Sequence, residues 1–154
     1  MNHPAILETV EALGETSVIA NPARIVDLCR YLKETEHYLR LSTVTAVDRH
    51  PAEPRFEIVY HLHSLDRNLR LRVKCKLGGT DPQIDSVYSV WRSADWYERE
   101  VFDMFGVKFR NHPNLVRILM PLEKTFWAER FGMVIDRFGI PWMINCAQAA
   151  TKVA

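Results

Sequence analysis

The sequence predicts an α+β fold: a two-layer domain with helices on one side of a mixed, mostly antiparallel sheet, followed by a C-terminal β-hairpin. Three observations carry this. Residues 69–77, LRLRVKCKL, alternate strictly between apolar and basic residues, the pattern of a strand with one dry and one wet face. Two stretches before it, 39–47 and 56–63, alternate in the same way, and SLDRN forms a hairpin-length link to the third. Flanking them are two stretches at helical spacing, one opened by Asn21-Pro22 and one closed by Gly106.

In chain order, residues 4–13 read as a short helix. Ile6, Leu7, Val10 and Leu13 lie at helical spacing, and Gly14 can end it. Thr16 to Ala20 reads as a strand. Asn21 then supplies a capping side chain and Pro22 a first helical residue, for a helix whose inward stripe is Ile25, Leu28, Cys29 and Leu32. In the first long strand Leu39, Leu41, Thr43, Thr45 and Val47 share a face; in the second Phe56, Ile58, Tyr60 and Leu62 do; in the third Leu69, Leu71, Val73, Cys75 and Leu77 do. Gly78-Gly79-Thr80-Asp81-Pro82 breaks the chain. Val87 to Trp91 reads as a short strand, and Ser93 as the cap of a helix over 94–105 that Gly106 ends.

Composition narrows the function. The 154 residues are 47% hydrophobic and 25% charged, with a formal net charge of +1, so there is no global electrostatic case for nucleic acid or an anionic membrane. Cys29, Cys75 and Cys146 stand far apart without a CxxC pair, which reads as reduced thiols rather than a disulfide framework. The acidic N-terminal stretch does not read as a signal peptide, and no stretch reaches the ~20 apolar residues of a membrane span.

The search for chemistry finds little. His61 and His63 share a strand face with Asp66 nearby, but two histidines need a third ligand, and a solvated strand face is the commoner explanation. Gly78-Gly79 is a turn and no phosphate cradle. Cys75 sits on the apolar side of its strand. His112, beside Pro113, is either a proton carrier or a turn residue bonded to backbone. Nothing assembles a nucleophile, a base and an orienting group.

The helix over 94–105, ADWYEREVFDMF, holds two anomalies. On a wheel at about 100° per residue, Ala94, Tyr97, Val101, Met104, Phe105 and marginally Phe102 share one arc, and Asp95, Arg99, Glu100 and Asp103 the other. Glu98 falls inside the apolar arc. A carboxylate there is either paired, with Arg92 or Arg117 as donor, or a boundary residue whose head reaches water. Trp96 falls among the charges, either as an interface residue or packed under a loop of its own chain.

The run EREVFDMFGVKF (98–109), followed by HPNLVRILMP (112–121), closely resembles the signature of the C subunit of respiratory complex I, the proton-translocating NADH:quinone oxidoreductase. RLSTVTAVD, RFEIVYHLHSL and SVYSVWRSADWYERE also resemble that family, and the likeness covers about residues 5–121. Asn111 stands where the family has glycine, and asparagine tolerates the left-handed backbone of such a turn. The resemblance implies a non-catalytic structural subunit of the peripheral arm, without a cofactor of its own. It takes part in an enzyme only through the complex, whose FMN, iron–sulfur clusters and quinone lie in other subunits. Its implied partners are chiefly the D-like protein, which forms much of the quinone cavity, and a B-like protein. Its implied place is the cytoplasmic side of the inner membrane, held there through the complex. The signature and interface residues so implied are Trp96, Glu98, Arg99, Glu100, Asp103, Gly106, His112, Pro113, Arg117 and Pro121.

After Pro121 the text departs from the family pattern. Residues 122–146, with the phrase DRFGIPWMIN, resemble the C-terminal end of PhnB-type glyoxalase-like proteins of the vicinal-oxygen-chelate superfamily. The sequence therefore reads as a complex I C-type domain over 1–121 and a foreign segment over 122–154, from a fusion, a gene remnant or an assembly artefact. That segment predicts a hairpin of strands 131–135 and 140–145. Two alternative functions follow: a metal-dependent glyoxalase-like enzyme or its remnant, and a paralogue of the C subunit in a related hydrogenase complex.

Overall fold

The computed structural model describes residues 1–118, 130–135 and 140–146. The chain divides into two units, Met1–Leu115 and Val116–Ala154.

In the first unit the chain runs β1 (Ile6–Ala12), β2 (Glu15–Ala20), a 3₁₀ turn (Pro22–Arg24), α1 (Ile25–Glu34), β3 (Arg40–Asp48), β4 (Phe56–Ser64), β5 (Leu69–Leu77), β6 (Gln83–Asp85), α2 (Ala94–Phe105) and β7 (Lys108–Arg110). Five strands form one sheet in the order β1-β2-β5-β4-β3. Only β2 and β5 pair in parallel; the other pairs are antiparallel. β6 and β7 form a separate parallel pair. This is the expected mixed, mostly antiparallel α+β fold with two helices.

The first segment departs from expectation: it is a strand, not a helix. Leu13 and Gly14 both have positive φ, 53° and 76°, and Ala12 pairs with Glu15 around them. Positive φ at both central residues is the two-residue turn that suits strand twist, so Gly14 closes a hairpin instead of ending a helix. Most of β1 is exposed, and it lies at the sheet edge. Glu8 and Glu11 on this edge disfavour pairing with other chains.

The start of α1 follows the sequence. Asn21 Oδ1 accepts a hydrogen bond from the Ala23 N–H at 3.0 Å, and Pro22 opens the 3₁₀ turn that leads into the helix. The stripe Ile25, Leu28, Cys29 and Leu32 is buried, each large apolar side chain contributing roughly 1.5–3 kcal/mol. It meets Val18 and Ala20 of β2, Ile58, Tyr60 and Leu62 of β4, and Leu71, Val73 and Cys75 of β5 in one core that Ala94 and Val101 of α2 also join. β3 differs in detail: a register shift between Leu41 and Thr43 turns Val44 and Ala46 inward and leaves Thr45 and Val47 exposed. One inserted residue reverses the alternation that follows it.

Residues 87–91 form turns rather than the expected strand, and the short strand lies earlier, at Gln83–Asp85. In the second unit β8 (Arg130–Ile135) and β9 (Pro141–Cys146) pair antiparallel, as expected of the C-terminal hairpin. Ile140, Trp142 and Met143 are exposed; the expected turn over 136–139 lies outside the described residues.

Candidate functional site

Glu98 is fully buried. α2 aims Ala94, Val101 and Glu98 at the interior, so the helical spacing that places two small apolar residues inward carries the carboxyl in with them. The helix ends at Gly106 in the left-handed region, φ 73°, where the Gly106 N–H donates to Phe102 O at 3.0 Å. A side chain would meet nothing within 4 Å there, so the backbone conformation is what calls for glycine. At the other end Ser93 makes no side-chain cap, contrary to expectation, because its own backbone is already helical.

The boundary reading of Glu98 fails. Its head does not reach water, and the two hydrogen bonds it receives come from the segment after β6. The Ser86 hydroxyl donates to Oε2 at 2.5 Å and the Val87 N–H to Oε1 at 2.8 Å. Arg92 turns away and donates to the Tyr88 hydroxyl at 2.7 Å. The segment is itself tied down: the Ser86 N–H donates to Arg110 O at 2.8 Å, and the Tyr88 N–H donates to Ser86 Oγ at 3.1 Å. Glu98 thus joins α2 to the turn that leads out of the β6–β7 pair.

His112 closes the group. Its side chain is buried, with Nε2 3.8 Å from Glu98 Oε2 and 3.4 Å from Asp95 Oδ1. The hydrogen bonds assign its proton. Nδ1 accepts from the Asn114 N–H at 3.1 Å, so Nε2 carries the hydrogen, which it donates to Asp95 O at 3.3 Å. This is the turn reading of His112. The preceding Asn111 has φ 61°, which fits an asparagine in the family's glycine position.

Burial pushes the Glu98 carboxyl up to about 7 against the opposing pull of its Ser86 and Val87 hydrogen bonds, and Asp95 adds to the rise. Burial also pushes His112 below its usual value, opposed by the backbone and charge of Asp95. The geometry agrees: a second ring proton on Nδ1 would face the Asn114 N–H and break that bond. Near neutrality the group therefore holds a neutral imidazole beside a carboxyl that keeps its proton to far higher pH than an exposed glutamate does.

The outer side of α2 is different. Trp96 and Asp103 are half-buried and Glu100 is exposed. The Arg99 guanidinium lies 4.7 Å from the Trp96 ring centre, a stacking contact that holds both in place. Met104, assigned to the inner arc by spacing, is 63% exposed and joins this outer side. Pro113 and Arg117 are exposed, Leu115 packs on the core, and Pro121 lies outside the described residues.

Other candidates remain apart from this group. His61 and His63 lie on the open face of the sheet; His63 Nε2 is 3.4 Å from Asn68 Oδ1. Among the described residues no three His, Cys, Asp or Glu side chains gather as metal ligands. Cys75 is buried and its thiol is pushed up to about 12 by desolvation, which leaves almost no thiolate at neutral pH. Ser86 and Val87 are what sequence reasoning missed: Ser86 lies outside every expected element and Val87 opens an expected strand that does not form, and only the buried carboxyl signalled that some partner had to exist.

Comparison with known proteins decides the family. The family model described as respiratory-chain NADH dehydrogenase, 30 Kd subunit, matches residues 18–131. The chain belongs to this family. The C 2 subunit of the NADH-quinone oxidoreductase of Rhizobium etli (strain CIAT 652) is 45% identical over 156 residues, covering 90% of this chain and 83% of the relative. The NADH-quinone oxidoreductase C subunit of Geobacter sulfurreducens is 48% identical over 130 residues, covering 79% and 80%. Among solved structures, a trypsin-resistant fragment (1-134) of Nqo5 superposes with a TM-score of 0.63 at 30% identity, covering 68% of this chain and 86% of the fragment. The membrane-bound sulfane sulfur reductase, an archaeal respiratory membrane complex, also gives 0.63, at 25% identity over 88% of this chain and 72% of that one.

The comparisons do not support the glyoxalase-like resemblance after Pro121. The family model runs on to residue 131, and a match over 90% of the chain needs more residues than the first 121 supply. A local departure from the signature pattern weighs less than an alignment that carries on through it.

Proposed function

We propose that this chain is a structural, non-catalytic subunit of the peripheral arm of a proton-translocating NADH:quinone oxidoreductase. It supports electron transfer from NADH to quinone by docking to the quinone-site subunit, the D-like protein, and to a B-like protein. FMN, iron–sulfur clusters and quinone belong to the other subunits, and the chain sits on the cytoplasmic side of the inner membrane through them. Among the described residues no helix is long and apolar enough to cross a membrane.

One observation carries this reading: α2 is clamped from inside by Glu98 while its outer side shows Trp96 stacked under Arg99 beside Glu100, Asp103 and Met104. A fixed aromatic among charges is the composition of a protein interface. Gly106, His112 and Pro113 shape the turns that follow, and Arg117 extends the signature beyond them.

The test is co-purification of the full chain with the other subunits of the complex. Trp96→Ala combined with Glu100→Lys is expected to lower recovery of the D-like protein about tenfold or more, equivalent to about 1.4 kcal/mol, with the fold of the isolated chain intact. Arg117→Glu is expected to act in the same direction. Undiminished recovery would remove the docking role of this side. The likeness to the sulfane sulfur reductase complex favours a second reading, a paralogue of the C subunit in a related, hydrogenase-like membrane complex. The identity of the proteins that co-purify separates the two.

A further inference from the structure

On the open face of the sheet, residues Arg40 of β3, His63 of β4 and Arg70 of β5 stand directly opposite one another in register. Like charges in facing positions disfavour a sheet, and elsewhere on this face the chain supplies its own anion. Arg72 is bonded to Glu15. Lys74 lies 3.5 Å from Glu57, which also receives Arg49 at 3.1 Å. Lys76 stands in register with Glu57. The row of Arg40 and Arg70 has no such partner: among the described residues no carboxylate pairs with either. Glu15 lines the same basin, and Arg72 already holds it. The row lines a basin of about 500 Å³ together with His61, Arg72 and Glu15. Three arginines against one carboxylate leave it at a net +2 before the histidines are counted.

We propose that this basin is a second docking surface, whose occupant is an acidic segment of a partner protein of the complex presenting two carboxylates. Strand spacing places Arg40 and Arg70 about 10 Å apart across β4, which leaves each guanidinium room for a carboxylate of its own. A segment with two supplies the charge that the row lacks, and guanidinium groups pair with carboxylates in two-pronged geometry. The near-zero net charge of the whole chain disfavours a nucleic-acid or lipid occupant, for which a long-range field does most of the attracting. This proposal rests on the reading of the chain as a docking subunit, but it uses a different face from α2.

Two variants of the full chain, expressed with the other subunits, test it. R70K keeps the charge and adds an amine that a water-soluble carbodiimide joins directly to a contacting carboxylate. The expected result is a cross-link from position 70 to an aspartate or glutamate of another protein of the complex. R40E/R70E is expected to lower recovery of that protein about tenfold while leaving the melting temperature of the isolated chain unchanged, because both side chains are exposed and neither pairs with a carboxylate among the described residues. Loss of assembly without loss of chain stability is what a merely structural row would not give. The proposal is overturned if position 70 links only within its own chain, to a lipid, or to nothing. It is also overturned if R40E/R70E assembles like the unaltered chain. In that last case the docking role of α2 still stands, whereas failure of the unaltered chain to co-purify removes both.

Discussion

Glu98 and Arg70 are both charged residues on regular elements, and the molecule treats them in opposite ways. Glu98 is sealed in the interior and receives its hydrogen bonds from a hydroxyl and a backbone amide of its own chain. Arg70 stands on an open sheet face, aligned with a second arginine and a histidine. The difference follows from the medium. A buried carboxyl without hydrogen bonds costs several kcal/mol, so the chain has to satisfy it locally. A charge in water is satisfied by solvent, so the chain can leave it for another molecule at little cost. Inside, the unusual residue builds the fold; outside, it is available for assembly.

The sharpest way to break that comparison is to remove each side chain. Glu98→Ala is expected to destabilise the protein by about 2–4 kcal/mol at pH 6, since it opens a cavity and strands the Ser86 hydroxyl and Val87 N–H. Urea denaturation of the isolated chain measures it. A loss below about 1 kcal/mol would mean that the segment 86–88 closes over the gap and that Glu98 is not the clamp.

The next test uses the proton. The folded value of Glu98, about 7, lies above its ordinary 4.5. The folded state therefore holds the proton more tightly. The stabilisation is fully present below about pH 4.5 and is lost as pH rises through 7, to the extent of about 3 kcal/mol. His112 acts with the opposite sign. Its folded value is lowered, so its contribution is present above its ordinary 6.5 and is lost as pH falls through the folded value. Glu98→Gln keeps one acceptor for the Val87 N–H and offers an amide to the Ser86 oxygen. The difference in stability between the variant and the unaltered chain is expected to shift in the variant's favour between pH 5 and pH 8. A pH-independent difference would show that Glu98 titrates as an ordinary surface carboxyl.

These two regions were also unequally legible. The wheel located Glu98 as misplaced, because helical period depends only on local sequence. It could not find Ser86 and Val87, because their meeting with Glu98 depends on where an aperiodic segment crosses the helix. It also put Met104 inside, a residue at the edge of the arc that tertiary packing leaves in water. The strand alternation in β4 and β5 read correctly for the same reason of period, and so did the cap at Asn21. β1 did not, since ILETVEAL fits either period and only the turn at Leu13-Gly14, with its partner β2, decides. The row of Arg40, His63 and Arg70 needed the register of three strands, including the shift inside β3, and no single stretch of sequence contains that.

The smallest expected effect is the most discriminating. Arg70→Ala removes an exposed charge with like-charged neighbours and no carboxylate partner among the described residues, so the isolated chain is expected to change by less than about 0.5 kcal/mol, with a gain as admissible as a loss. The long aliphatic stem of arginine can cover apolar surface, so a part of any loss would come from packing. Arg70→Met retains much of that stem and removes only the charge. If Arg70→Met matches or exceeds the unaltered chain in melting temperature while Arg70→Ala falls slightly below it, the charge contributes nothing to the fold. If both variants lose more than about 1 kcal/mol, the row is instead held by its own chain, and the contrast between a satisfied interior and an available surface fails at Arg70.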